Sequence, residues 1–264
     1  PKLTRLTIEP GAIVKFSRES ILVEGSLRAV GEAESPVIFT SIHDDSVGAE
    51  LNIDATRVAA PGDWGGITIN TPTLDSDVSI AHAEIRFAGR EDSSALYLYK
   101  ASPNIEDSTI ANSSQHGVFV RGGSPNLTGL EIWGSAGDGI YIDDAPSAPS
   151  ITFSTIATNG GRGVYVRDGA TATLGNSQIF QNAGGALTNE SSASVSATQN
   201  WWGDDDSSGP YHSTENPSGS GDSIIGDVDF VPFEADTLVP FTYHNFSAAT
   251  QSVAGSLPPS TLDQ

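Results

Sequence analysis

Aromatic and charged residues recur along the middle of this chain at nearly constant spacing. Tyr97, Phe119, Tyr141 and Tyr165 follow one another at intervals of 22, 22 and 24 residues, and Leu187 stands 22 further on. Two positions after each comes a second series, Tyr99, Arg121, Asp143, Arg167 and Asn189, and next to it a third, Lys100, Gly122, Asp144, Asp168 and Glu190. An aromatic series beside alternating charge has the chemistry to bind a sugar chain. Ring faces stack on pyranoses, while guanidinium and carboxylate groups fork onto hydroxyls and acids. Asp143, Asp144 and Asp168, with Arg121 and Arg167, also supply the carboxylates and bases that a glycoside hydrolase or lyase needs. The same residues serve equally well as a salt-bridge ladder. The rings likewise serve as a cross-strand stack that only stabilises a sheet.

Other site chemistry is thinner. Asp204, Asp205 and Asp206 are adjacent carboxylates in a Ser/Gly-rich stretch and are the residues to consider for Ca²⁺, the one cofactor the sequence suggests. They lack the alternating spacing of a dedicated calcium loop. With Cys 0 in the chain, neither a disulfide nor a thiolate site can form. The five His show no ligand spacing that favours zinc. No glycine-rich loop follows a strand and opens a helix, so a nucleotide site is not expected. Sequons occur at Asn112, Asn126, Asn189 and Asn245.

The elements that must position the recurring residues are themselves repeated. The segments beginning at Ile105, Leu127, Ile151 and Leu174 align at steps of 22, 24 and 23. Each carries an apolar strand pattern, and a second apolar pair follows: Leu96/Leu98, Val118/Val120, Ile140/Ile142, Val164/Val166 and Ala186/Thr188. Within each pair the alternation is in–out–in, the period of a strand. Such short strands bury a face only by stacking coil on coil. The expected fold is all-β: a right-handed parallel β-helix of about 22–24 residues per coil, over 1–233, with a tail or linker over 234–264. Ser113, Ser135, Asn159 and Asn182 each sit three residues past a strand Ile, in a column suited to hydrogen bonding along the solenoid axis.

Three further stretches carry a family resemblance. Leu6-Thr7-Ile8-Glu9-Pro10-Gly11-Ala12-Ile13-Val14-Lys15-Phe16 resembles the first coil of extracellular parallel β-helix repeat proteins of the pectate-lyase-like superfamily. Asn200-Trp201-Trp202-Gly203 and Gly226-Asp227-Val228-Asp229-Phe230 resemble their closing segments. The resemblance implies the fold and an extracellular or cell-surface setting. It leaves function open, because that fold hosts lyases, hydrolases, adhesins and surface-layer pieces. The polygalacturonase set of Asn-x-Asp, Asp-Asp, Gly-His-Gly and Arg-x-Lys is not assembled, and no pectate-lyase calcium-and-arginine signature is present.

Composition narrows the partners. A formal charge of −21, from 33 acids against 12 bases, repels nucleic acid and anionic membranes. No apolar stretch is long enough to span a bilayer. The expected function is an extracellular structural or binding module presenting the Tyr97–Tyr165 face to polysaccharide or to a neighbouring subunit. The alternative is a polysaccharide lyase or hydrolase. Phe241, Tyr243 and Phe246 of the tail alternate as if to cover that face.

Overall fold

The computed structural model describes residues 5–49, 51, 57–71, 77–91 and 93–236. Strands of two to five residues alternate with tight corners, and no α-helix occurs among the described residues. A regular coil contributes one strand to each of three parallel sheets, which hold nine, seven and nine strands among the described residues. The first sheet includes Asn104–Glu106, Asn126–Thr128, Ser150–Thr152 and Thr173–Gly175. The second includes Thr109–Ala111, Glu131–Trp133, Thr155–Ala157 and Gln178–Phe180. The third includes Gly66–Ile69, Leu96–Tyr99, Val118–Arg121, Ile140–Asp143, Val164–Val166 and Leu187–Asn189. About eight coils stack in this way into a right-handed parallel β-helix.

Why the chain turns where it does follows from its corners. One residue per coil adopts a left-handed backbone between the first and second sheets: His82, Asp107, Gly129, Phe153, Asn176 and Gln199. Asp, Asn and Gly tolerate that conformation best. At Gly129 the φ of +68 favours glycine, while an added Cβ would meet only the movable Asp107 carboxylate at short range. Inward positions form unbroken apolar columns. Ile105, Leu127 and Ile151 are in register along the first sheet, and Ile110, Ile132, Ile156 and Ile179 along the second. All are fully buried, each worth about 1.5–3 kcal/mol of apolar burial. Trp202 and Phe230 close the C-terminal end.

Polar ladders satisfy the corners. Asn159 Oδ1 accepts the Ser135 N–H at 3.0 Å, Asn182 Oδ1 accepts the Asn159 N–H at 3.1 Å, and Asp222 Oδ2 accepts the Asn182 N–H at 3.1 Å. Ser113 is buried in the same column, but its hydroxyl turns to the Gln115 N–H. A second ladder runs along the first corner. Ser154 Oγ accepts from Leu130 N–H, Ser177 Oγ from Ser154 N–H, and Asn200 Oδ1 from Ser177 N–H, at 2.9–3.1 Å. The last strand among the described residues ends at Asp229. The tail's Phe241, Tyr243 and Phe246 and the sequon Asn245 lie outside the described residues.

Candidate recognition face

The outward face of the third sheet carries the aromatic series in direct register: Tyr97 beside Phe119, Phe119 beside Tyr141, and Tyr141 beside Tyr165. Here one expectation is corrected. Tyr165 pairs with Thr188, not Leu187, and the inward pair of that coil is Leu187/Asn189 rather than Ala186/Thr188. This coil is one residue longer between these positions, and a one-residue shift exchanges inside for outside. Asn189 is therefore buried, donating to Ala193 O and Asp227 O at 2.8 Å, and Glu190 follows in the outward series.

The ring faces are largely occupied by the protein itself. Tyr97 and Phe119 stack at 4.8 Å between centroids, and His116 stacks on Tyr141 at 4.6 Å. The Arg162 guanidinium covers Tyr165 at 3.9 Å. The ring faces so engaged are not available for stacking on a pyranose. The hydroxyls are tied in as well. Burial raises the titration of Tyr97, Tyr141 and Tyr165, the last to about 12, where hydrogen bonding to Glu190 adds to burial. Arg121, bonded to Tyr97, has its titration raised by that contact.

On the C-terminal side of the rings stands the expected series of Tyr99, Arg121, Asp143 and Arg167. Arg121 approaches Asp144 at 3.7 Å, and Arg167 approaches Asp168 at 2.6 Å and Asp143 at 3.8 Å. Asp143 is the least exposed of these acids, and burial, reinforced by hydrogen bonding to Asp168, raises its carboxyl. Asp168 moves the other way, lowered chiefly by its bond to Arg167. The five residues considered for catalysis thus form a cross-coil ion-pair ladder in which Asp143 and Asp168 lie within hydrogen-bonding reach.

The N-terminal side holds a second charged series, one the sequence reading missed: His116, Asp138 and Arg162. His116 Nδ1 lies 3.3 Å from Asp138 Oδ2, and Asp138 Oδ1 accepts the Arg162 N–H at 2.7 Å. Burial alone would raise the Asp138 carboxyl, but bonding to His116 and the Arg162 backbone outweighs it and its pKa is lowered. The signal was present in the spacings of 22 and 24. It was obscured because residue type changes at each step.

The calcium residues do not converge. Asp204 is buried and accepts the Gly209 N–H at 3.0 Å. Asp206 accepts from Ser208 N–H and Ser220 Oγ, and Asp205 is exposed. No group of three or more acid or His side chains positioned for a metal occurs among the described residues. Adjacent carboxylates in this turn point into different surroundings, which is what their lack of alternation leads to. Of the sequons, Asn112 and Asn189 are buried and Asn126 is exposed.

A family model described as "right handed beta helix region" matches residues 74–202, the coils that carry this face. No curated protein and no solved structure gives a significant match.

Proposed function

In a right-handed parallel β-helix repeat protein of this build, we propose that the solenoid is a rigid scaffold and its third sheet the contact face of an assembly outside the cell. The observation that carries this reading is the register of four half-buried or buried aromatics between two charged series on one face. Internal ring stacking and hydroxyl pairing fix those side chains in advance, so little rotamer freedom is lost when a partner docks. Engaged ring faces and paired charges suit a protein surface better than a sugar ring, which needs an open aromatic face. Polysaccharide is the competing ligand. An acidic, Lys-poor surface suits an exterior of high ionic strength, where screening relieves self-repulsion.

A second reading has one specific observation behind it: the Asp143 and Asp168 carboxyls are close enough to hydrogen bond and titrate in opposite directions. In a polysaccharide hydrolase, Asp143 would be the proton donor. One experiment separates the readings. Wild type and Tyr141→Ala are compared by sedimentation velocity and by co-sedimentation with neutral and acidic polysaccharides, and supernatants are assayed for oligosaccharides. The scaffold reading expects protein–protein contact that Tyr141→Ala weakens, and no released product. Product that disappears in Asp143→Asn would establish the enzyme instead. Indifference of every contact to Tyr141→Ala would reduce the face to internal support.

A further inference from the structure

We propose that the third-sheet face docks onto the same face of a second copy of this chain, with the two solenoid axes antiparallel. The inference rests on reading this sheet as a contact face, and names the partner. The column that contains the aromatics is longer than the sequence suggested. Leu22 pairs with Thr68 and Thr68 with Tyr97, while Tyr165 pairs with Thr188 and Thr188 with Ile225. It runs eight coils without a charge, in a chain of net −21. Its ends, Leu22 and Ile225, are 60% and 54% exposed. The column is also nearly symmetric about the gap between Phe119 and Tyr141: two pairs of aromatics at the centre, a Thr beyond each, and an aliphatic residue at each end.

The flanks decide how two such faces can meet. Closed homodimers are most often two-fold, and a two-fold interface sets each residue against a defined partner. An axis parallel to the solenoid would oppose the two flanks of the same coil. Asp138 would then face Asp143, and Arg162 would face Arg167, which is like against like. An axis across the solenoid, through the gap between Phe119 and Tyr141, keeps each flank on its own side and reverses coil order. Arg121 then faces the second copy's Asp143, His116 faces Asp138, and Lys100 faces Asp168. The Arg121–Asp143 and Lys100–Asp168 pairs unite opposite charge, and the His116–Asp138 pair sets an imidazole against a carboxylate. Leu22 meets Ile225, and Thr68 comes opposite the buried Thr188. In the end coils Glu19 would face Asp222 and Glu24 would face Asp227 under this axis, and Glu19 would face Glu24 and Asp222 would face Asp227 under the other, so acids oppose acids either way. The flanks of the central coils distinguish the two, and they select the axis that the symmetry of the uncharged column selects.

Size predicts the strength. Eight coils at ~4.8 Å span ~34 Å, and the width from His116 to Arg121 is ~16 Å at ~3.3 Å per residue. Such a face buries on the order of 1,000 Å² over both partners, the low end for specific association. The dimer is therefore expected to be reversible, in the micromolar range.

The test uses the full chain in sedimentation velocity from about 1 to about 100 μM, with thermal melting to verify that each variant is folded. Wild type should pass from monomer to dimer across this range. Arg121→Asp and Asp143→Arg should each weaken association at least tenfold. An equimolar mixture of the two variants should recover the dimer. The carboxylate introduced at position 121 of one variant then faces the guanidinium introduced at position 143 of the other, and the native Asp143 of the first faces the native Arg121 of the second. A folded pair whose mixture stays monomeric overturns the proposal, as does a wild type that remains monomeric throughout. In that last case, retention on a polysaccharide that Tyr141→Ala abolishes would keep the contact-face reading and make glycan the occupant. A monomer with no such retention would remove both.

Discussion

Asp222 takes the place that Asn159 and Asn182 hold in preceding coils, and ends their hydrogen-bonded column with a carboxylate. Burial raises its pKa from 3.8 to about 6, against the opposing pull of the Asn182 and Gln181 N–H groups. The folded state therefore binds a proton that the unfolded chain has released between those two values. Stability from this group is present below about pH 4 and is lost as pH rises through about 6. At about 1.4 kcal/mol per unit, the loss is at most ~3 kcal/mol. Asp222→Asn, whose amide oxygen accepts the same N–H, should flatten this slope and stabilise the protein at pH 7, as read by urea unfolding across pH 4–7.5. Tyr141 permits a second residue-scale prediction. Its ring touches His116, Phe119 and Tyr165. Tyr141→Ala should cost ~2–3 kcal/mol, whereas Tyr141→Phe, losing only the hydroxyl contact with Arg167, should cost under ~1 kcal/mol. Equal losses in chemical denaturation would place the stabilisation in the hydroxyl and not in the stack. At this scale the sequence was readable where type persists. Tyr, Phe, Tyr, Tyr at one spacing is a visible column. His116, Asp138 and Arg162 share a spacing but not a type, and Thr188 was misplaced because its coil has one more residue.

Strands here are too short for propensity to define them, so the repeat had to be read from corners and inward apolar residues. That worked where coils are regular, from Leu96 onward. It failed for the third-sheet strand Gly66–Ile69, because the stretch 44–62 intervenes before it and breaks the spacing. The axial column was legible since Ser and Asn are the small polar residues that can bridge backbone between coils. The second ladder went unrecognised because Leu130 interrupts it, supplying only its N–H to Ser154. Asn159 and Asn182 are the most heavily used members of the first ladder; Asn159 is the one to test. It accepts the Ser135 N–H and donates to Ile132 O and Ala157 O at 3.2 Å, all buried. Asn159→Ala leaves these groups unpaired without water, at a cost of ~3 kcal/mol. Asn159→Ser should retain part of that, since the Ser154 hydroxyl accepts an N–H of the preceding coil in the second ladder. Urea midpoints of the two variants check the order. If both fall equally, the ladder contributes through the shape of asparagine and not through its acceptor.

Charge is the property of the whole molecule that governs whether two copies can meet. The contact face holds four bases (Lys100, Arg121, Arg162 and Arg167) against nine acids (Glu19, Glu24, Asp138, Asp143, Asp144, Asp168, Glu190, Asp222 and Asp227), a net −5, so most of the −21 lies elsewhere in the chain. Two solenoids approaching face to face thus repel through charges spread around the rod, while the pairs that would hold them act at contact distance. Salt treats these differently. The Debye length falls from about 10 Å at 0.1 M to about 3 Å at 1 M. Repulsion across a coil's width is therefore removed well before interactions between touching, half-buried groups are. Association should tighten several-fold between about 0.05 and about 0.5 M NaCl, the opposite of what attraction between oppositely charged bodies gives. The Arg121→Asp variant adds charge within the contact, where screening is least effective, and should remain monomeric at both salt concentrations. Sedimentation velocity at fixed protein concentration across this salt range reads both outcomes. A wild-type dimer that dissociates as salt rises would mean that the flank pairs outweigh the −21 on each rod, and that the uncharged column between Leu22 and Ile225 contributes little to holding the copies together.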